Sequence, residues 1–147
     1  TFTSASAKFP DIPEIHYFLA ITARAKNDPD NAVVEVKRSL ALKQTADSNA
    51  LLGAILSDRN ETAEAEIYLR KAISIDPEHF NANRDLGRMF ARQAKFSDAL
   101  PFLQRASTIR PADPDLHYQL FLAYSRLKQK PEADRELAIF KELSGKK

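Results

Sequence analysis

The sequence predicts an all-α fold: a right-handed α-solenoid of about four helix–turn–helix repeats. Three observations lead there. The chain aligns with itself at a shift of 34 residues, the kind of period that marks stacked repeats. Its apolar positions recur every three or four residues, the helical period. Its 147 residues include only 3 Gly, too few for a fold of many tight turns or for a phosphate-cradling loop. At 44% hydrophobic residues and a net charge of +2, the chain can build a core and falls outside the disordered class.

The self-alignment is specific. Leu52 falls on Leu86 and Leu120, Gly53 on Gly87, and Ala65 on Ala99 and Ala133. Leu69 falls on Leu103 and Leu137, Ala72 on Ala106, and Pro77 on Pro111. Small residues (Gly53, Ala65, Ala72) stand where two helices approach closely, and Leu52, Leu56 and Leu69 fill the core between them. Turn signals separate the helices. Asp11-Ile12-Pro13-Glu14 reads as a capping box ahead of the first helix. Asp58-Arg59-Asn60 parts the helices of repeat two, and Asp76-Pro77 closes it. Pro114 and Pro131 suit first helical turns. Pro101 is expected near a helix start, where its missing N–H costs little. Helices are expected at 13–26, 30–43, 46–58, 61–75, 80–93, 96–109, 114–128 and 131–143. Gly145 is expected beyond the last helix, as its terminator. The longest apolar run, Ala50 to Leu56, reads as the middle of an amphipathic helix.

These residues resemble the tetratricopeptide repeat. The resemblance rests on Leu52, Gly53, Leu56, Ala65, Leu69, Ala72 and Pro77 in repeat two. In repeat three it rests on Leu86, Gly87, Phe90, Ala99, Leu103, Ala106 and Pro111. Repeat four keeps Leu120, Tyr124, Ala133 and Leu137, but has Phe121 and Phe140 where small residues belong. Repeat one keeps Leu19, Ala20, Ala32, Val36 and Leu40, with no closing Pro. The implied organisation is a tail over 1–12, one repeat domain over 13–143 (repeats at 13–45, 46–79, 80–113 and 114–143) and a tail over 144–147. Neighbouring helix pairs stack because none buries its apolar face alone. First helices line a concave groove and second helices form the convex face.

The rest of the composition excludes function classes. Zero Cys rules out a disulfide framework, a thiolate metal site and a cysteine nucleophile. The three histidines, His16, His79 and His117, are dispersed and have no metal-ligand spacing. His16-Tyr17 and His117-Tyr118 occupy equivalent places in repeats one and four, read as a packing residue followed by a groove residue. No glycine motif, metal set or triad points to catalysis, so no cofactor and no enzyme activity are expected. Residues 74–147 hold 13 basic and 10 acidic side chains, too mild an excess for a nucleic-acid partner. No apolar run reaches the roughly 18 residues of a membrane span. The chain starts at Thr1, so a removed leader is compatible with it. The expectation is a soluble protein, cytoplasmic or exported. Asn60-Glu61-Thr62 is a glycosylation sequon in a turn.

The groove carries the functional expectation. The resemblance makes Arg84, Arg88 and Arg92 ligand-facing in repeat three, and four-residue spacing puts them on one stripe. Repeat four adds Tyr118, Leu122 and Arg126, and repeat one adds Tyr17, Ile21 and Arg24. Repeat two adds Asp47, Ala50, Ala54 and Asp58, so the Lys/Asn carboxylate clamp for chaperone tails is absent. Arginine forks with tyrosines suit an acidic segment or a C-terminal carboxylate; the competing reading is a solvated face neutralised by Asp85 and its neighbours. At the other end, Leu137 and Phe140 stand where a further repeat would dock. They either plug the end with Phe121 or form a docking patch. The expected function is a non-catalytic scaffold binding a protein or peptide, acidic in character. The alternatives are a homo-oligomer stacking end to end and a regulatory module of a larger protein.

Overall fold

The computed structural model describes residues 12–145. Eight α-helices and no strand occur among them: α1 Pro13–Ala25, α2 Pro29–Leu42, α3 Ala46–Asp58, α4 Thr62–Ile75, α5 Phe80–Arg92, α6 Phe96–Ile109, α7 Pro114–Arg126 and α8 Lys130–Gly145. All expected boundaries lie within two residues of these. Gly145 departs from its expected place beyond the last helix, because it is the last described residue of α8 itself. The capping box expected at the start of α1 rests on Asp11, outside the described residues. Ile12 precedes α1 and makes no side-chain cap. The starts of α2 and α3 are capped by side chains. The Asp28 carboxylate accepts from Asn31 N–H at 3.3 Å, and Thr45 Oγ1 accepts from Ser48 N–H at 3.0 Å.

The four turns inside the repeats share one closure. Asn27, Asn60, Ala94 and Lys128 have φ near +60°. In each, the next residue's N–H reaches back to the last helical turn: Asp28 to Ala23, Glu61 to Leu56, Lys95 to Phe90 and Gln129 to Tyr124. This is the Schellman closure, made without glycine. The expected turn residue Asp58 closes α3 instead, and Asn60 takes the left-handed position. Pro101 is the sixth residue of α6, deeper than expected. It removes the bond to the Ser97 carbonyl, on an exposed face of the helix.

The chain divides into two compact units that part between His79 and Phe80. The first holds α1 to α4. Its core is Ala20, Ala32, Val36, Leu52, Ile55, Ala65, Leu69 and Ala72, none of them accessible to solvent. Here α3 packs against α1, α2 and α4. All seven residues from Ala50 to Leu56 are therefore buried. The expected amphipathic middle is instead covered on every side, because three neighbours leave it no wet face. The second unit holds α5 to α8, around Ala82, Leu86, Met89, Ala99, Leu103, Ala106, Leu116 and Ala123.

The two aligned glycines lie where the small-residue reading placed them. A Cβ on Gly53 would sit 2.6 Å from Leu69 Cγ, and one on Gly87 2.6 Å from Leu103 Cδ2. Charge divides with the units. Residues 1–79 carry 9 basic and 12 acidic side chains, a net −3, and residues 80–147 carry 13 and 8, a net +5.

Candidate functional site

In the second unit, the arginines of α5 have different surroundings. Arg84 Nε lies 3.1 Å from Asp85 Oδ1, and its guanidinium lies 5.4 Å from the Phe80 ring centre. The same ring takes Arg110, the residue that follows α6, at 3.8 Å. Arg88 pairs with Asp115 on α7. Arg88 thus ties α5 to α7, while Arg84 is engaged within α5 itself. With Arg126, Arg92 lines a cleft of about 240 Å³, beside Ala91, Phe96, Gln119 and Leu122. Arg126 lies 5.8 Å from the Phe96 ring centre and has no carboxylate partner among the described residues. Three sequence-expected site residues (Arg92, Leu122, Arg126) therefore share one cleft. Phe96 and Gln119 complete it and were not anticipated. Phe96 belongs to a second helix, and only its place at the start of α6 signals that it reaches the first-helix face.

Tyr118 is 38% exposed, and its ring centre lies 5.1 Å from that of Phe140 and 6.0 Å from that of Phe121. These spacings are those of interacting rings. Tyr118 thus joins an aromatic cluster with the end residues; Phe140 and Leu137 are half-buried.

In the first unit, Tyr17 lies in a second cleft, of about 230 Å³, bounded by Glu14, Phe18, Lys43, Asp47 and Ser48. Burial, and then the Asp47 carboxylate, push the Tyr17 phenol above its usual value. Ionisation is disfavoured in the folded protein, so Tyr17 stabilises the fold fully below pH of about 10. That contribution is lost as pH rises through the higher folded value. An ultraviolet difference titration of wild type against Tyr17→Phe should show one phenol ionising late. Asp47→Asn should bring that step only partly back; a phenol titrating with the exposed tyrosines would refute the assignment. Phe18 (63% exposed) and Ile21 (39%) leave apolar surface beside this cleft. Arg24 Nε lies 2.9 Å from Asp58 Oδ2, so this expected groove arginine is paired. Ala50 and Ala54 are buried.

The histidines hold a feature that sequence reading missed. His16 and His117 are buried, as packing residues should be, yet each meets a carboxylate from the following helix. His16 Nδ1 lies 2.8 Å from Glu35 Oε1. His117 Nδ1 lies 2.7 Å from Glu136 Oε1, and its Nε2 lies 2.6 Å from the Pro111 carbonyl. Both ring nitrogens of His117 thus lie within hydrogen-bond distance of an oxygen acceptor. The signal was available: both pairs span 19 residues. His79 Nε2 lies 2.8 Å from Asp47 Oδ1. Among the described residues, no group of three or more His, Asp or Glu could hold a metal ion, and no helix is long and apolar enough to cross a membrane.

The tetratricopeptide repeat family model matches residues 46–79, the span of α3, α4 and the turn that follows. These residues form a tetratricopeptide repeat. Two solved structures share the fold: MamA, 20% identical with a TM-score of 0.88 over 99% of this chain and 85% of that one, and YrrB, 21% identical with a TM-score of 0.88 over 97% and 74%. YrrB is described as a tetratricopeptide-repeat protein with an unusual peptide-binding site. At these identities the likeness concerns fold alone. Two curated relatives, both the mitochondrial import receptor subunit TOM70 of Saccharomyces cerevisiae, are 30% identical over 93% of this chain. The chain spans about a quarter of their length (24%). Tetratricopeptide-repeat proteins are in general interaction scaffolds.

Proposed function

We propose that this tetratricopeptide-repeat protein is a non-catalytic scaffold that binds an acidic protein or peptide segment on its first helices. The observation carrying this is Arg126, which lines a cleft with Arg92 yet lacks a carboxylate partner among the described residues. It lies in a half of the chain with a net charge of +5. A guanidinium fork so placed binds a carboxylate bidentately, and the surrounding charge speeds the encounter. The import-receptor relative and the peptide-binding structural neighbour support a protein partner. Arg88 is a poor probe, since its reversal would break the pair with Asp115. The test is therefore Arg126→Glu against matched pools of acidic and basic peptides. Acidic peptides should be retained by wild type and lost by the variant; equal retention of both pools would sink the reading.

A second reading, self-association, draws on the opposite charge of the two halves, −3 and +5. Light scattering over a concentration series at low salt tests it. Mass should rise with concentration and fall with added salt, whereas a strict monomer would exclude it.

A further inference from the structure

We infer that the Arg92–Arg126 cleft reads a pair of neighbouring side chains on an extended peptide: an Asp or Glu beside a bulky aliphatic residue. The inference rests on the scaffold reading above and specifies what its site selects. Size comes first. At about 240 Å³ the cleft is smaller than the roughly 300–1,000 Å³ of small-molecule sites, so it suits one or two side chains. Chemistry comes second. The guanidinium of Arg126 lies over the Phe96 ring, an arrangement that satisfies one face of the cation and leaves its N–H groups for an acceptor. Leu122, Ala91 and the Phe96 ring make the rest of the lining apolar. A lone carboxylate would leave that lining wet, and a lone aliphatic side chain would leave Arg126 without a counter-charge. Gln119 is the remaining polar group. Its amide both donates and accepts, which matches the backbone of an extended segment. That match favours a side-chain carboxylate within a chain over a free terminal one.

The test uses the full chain and four fluorescein-labelled peptides of one background sequence: Glu-Leu, Glu-Ser, Gln-Leu and Gln-Ser at the central pair. Fluorescence polarisation should rank Glu-Leu tightest, with Glu-Ser and Gln-Leu each weaker by about tenfold or more. Arg126→Gln should erase the difference between Glu-Leu and Gln-Leu. Leu122→Ala should shrink the difference between Glu-Leu and Glu-Ser. Both positions are at least part-exposed, and circular dichroism checks that each variant keeps its helices. If Glu-Leu and Glu-Ser bind alike, the paired reading is overturned while acidic binding stands. If Gln-Leu matches Glu-Leu in the wild type, the scaffold's acidic preference falls as well. Absence of binding by all four overturns both.

Discussion

Gly87→Ala is expected to lower stability by about 1–2 kcal/mol, even though alanine is the better helix former. The substitution gains roughly 1 kcal/mol in helix propensity. Against this stands a Cβ at 2.6 Å from Leu103 Cδ2 and 3.2 Å from Leu103 N. Leu103 has no exposed surface into which to retreat, and overpacking of this kind costs about 1–3 kcal/mol or somewhat more. The cause can be isolated. Leu103→Ala alone should cost about 2–5 kcal/mol through its cavity. In that background the side-chain clash is gone and only the 3.2 Å approach to Leu103 N remains, so Gly87→Ala should become neutral or slightly stabilising. The change of sign, read from urea midpoints at constant slope, is the decisive quantity. If Gly87→Ala destabilises equally with and without the Leu103 side chain, the close approach is not its cause. Gly53 and Leu69 have the same geometry and should repeat the result.

The same contact explains why so much of the fold was legible. A helix pair repeated at 34 residues must place its small residues where backbones meet and its leucines opposite them. Gly53 with Leu69, and Gly87 with Leu103, therefore announce the packing in one dimension. Turn chemistry was partly legible. Asn60 reads as a turn residue because Asn tolerates the left-handed region, while Ala94 and Lys128 carry no such mark and are held there by the backbone closure alone. Burial of Ala50–Leu56 was not legible as such, since periodicity within one helix cannot tell how many neighbours surround it.

The site was less legible than the fold, for a different reason. Spacing places Arg84, Arg88 and Arg92 on one stripe, but the fate of a charge is decided by what faces it across space. Arg88 meets Asp115 from 27 residues away, and Arg84 is engaged by its own neighbour Asp85. Arg24 meets Asp58 at a separation of 34. That separation equals the repeat period, so the pair was recoverable from register: equivalent positions on adjacent first helices lie side by side. Arg126 stands out only once these pairings are known.

The His117–Glu136 pair carries the other large expectation. Glu136→Leu alone should cost about 1–3 kcal/mol, the range for leaving a buried polar group without its partner. The His117 ring would keep its contact with the Pro111 carbonyl but lose the carboxylate. Replacing both residues, His117→Leu with Glu136→Leu, should recover most of the loss. Neither side chain is then a buried polar group without a partner, and the cost that remains is the Pro111 carbonyl left without its donor. Chemical denaturation of wild type, both single variants and the double variant measures the coupling. A single-variant cost below about 1 kcal/mol would show that Glu136 and Pro111 do not hold His117 as the geometry requires. His16 and Glu35 form the equivalent pair in repeat one, with both side chains 4% exposed. Burial is deeper there, so Glu35→Leu should cost at least as much.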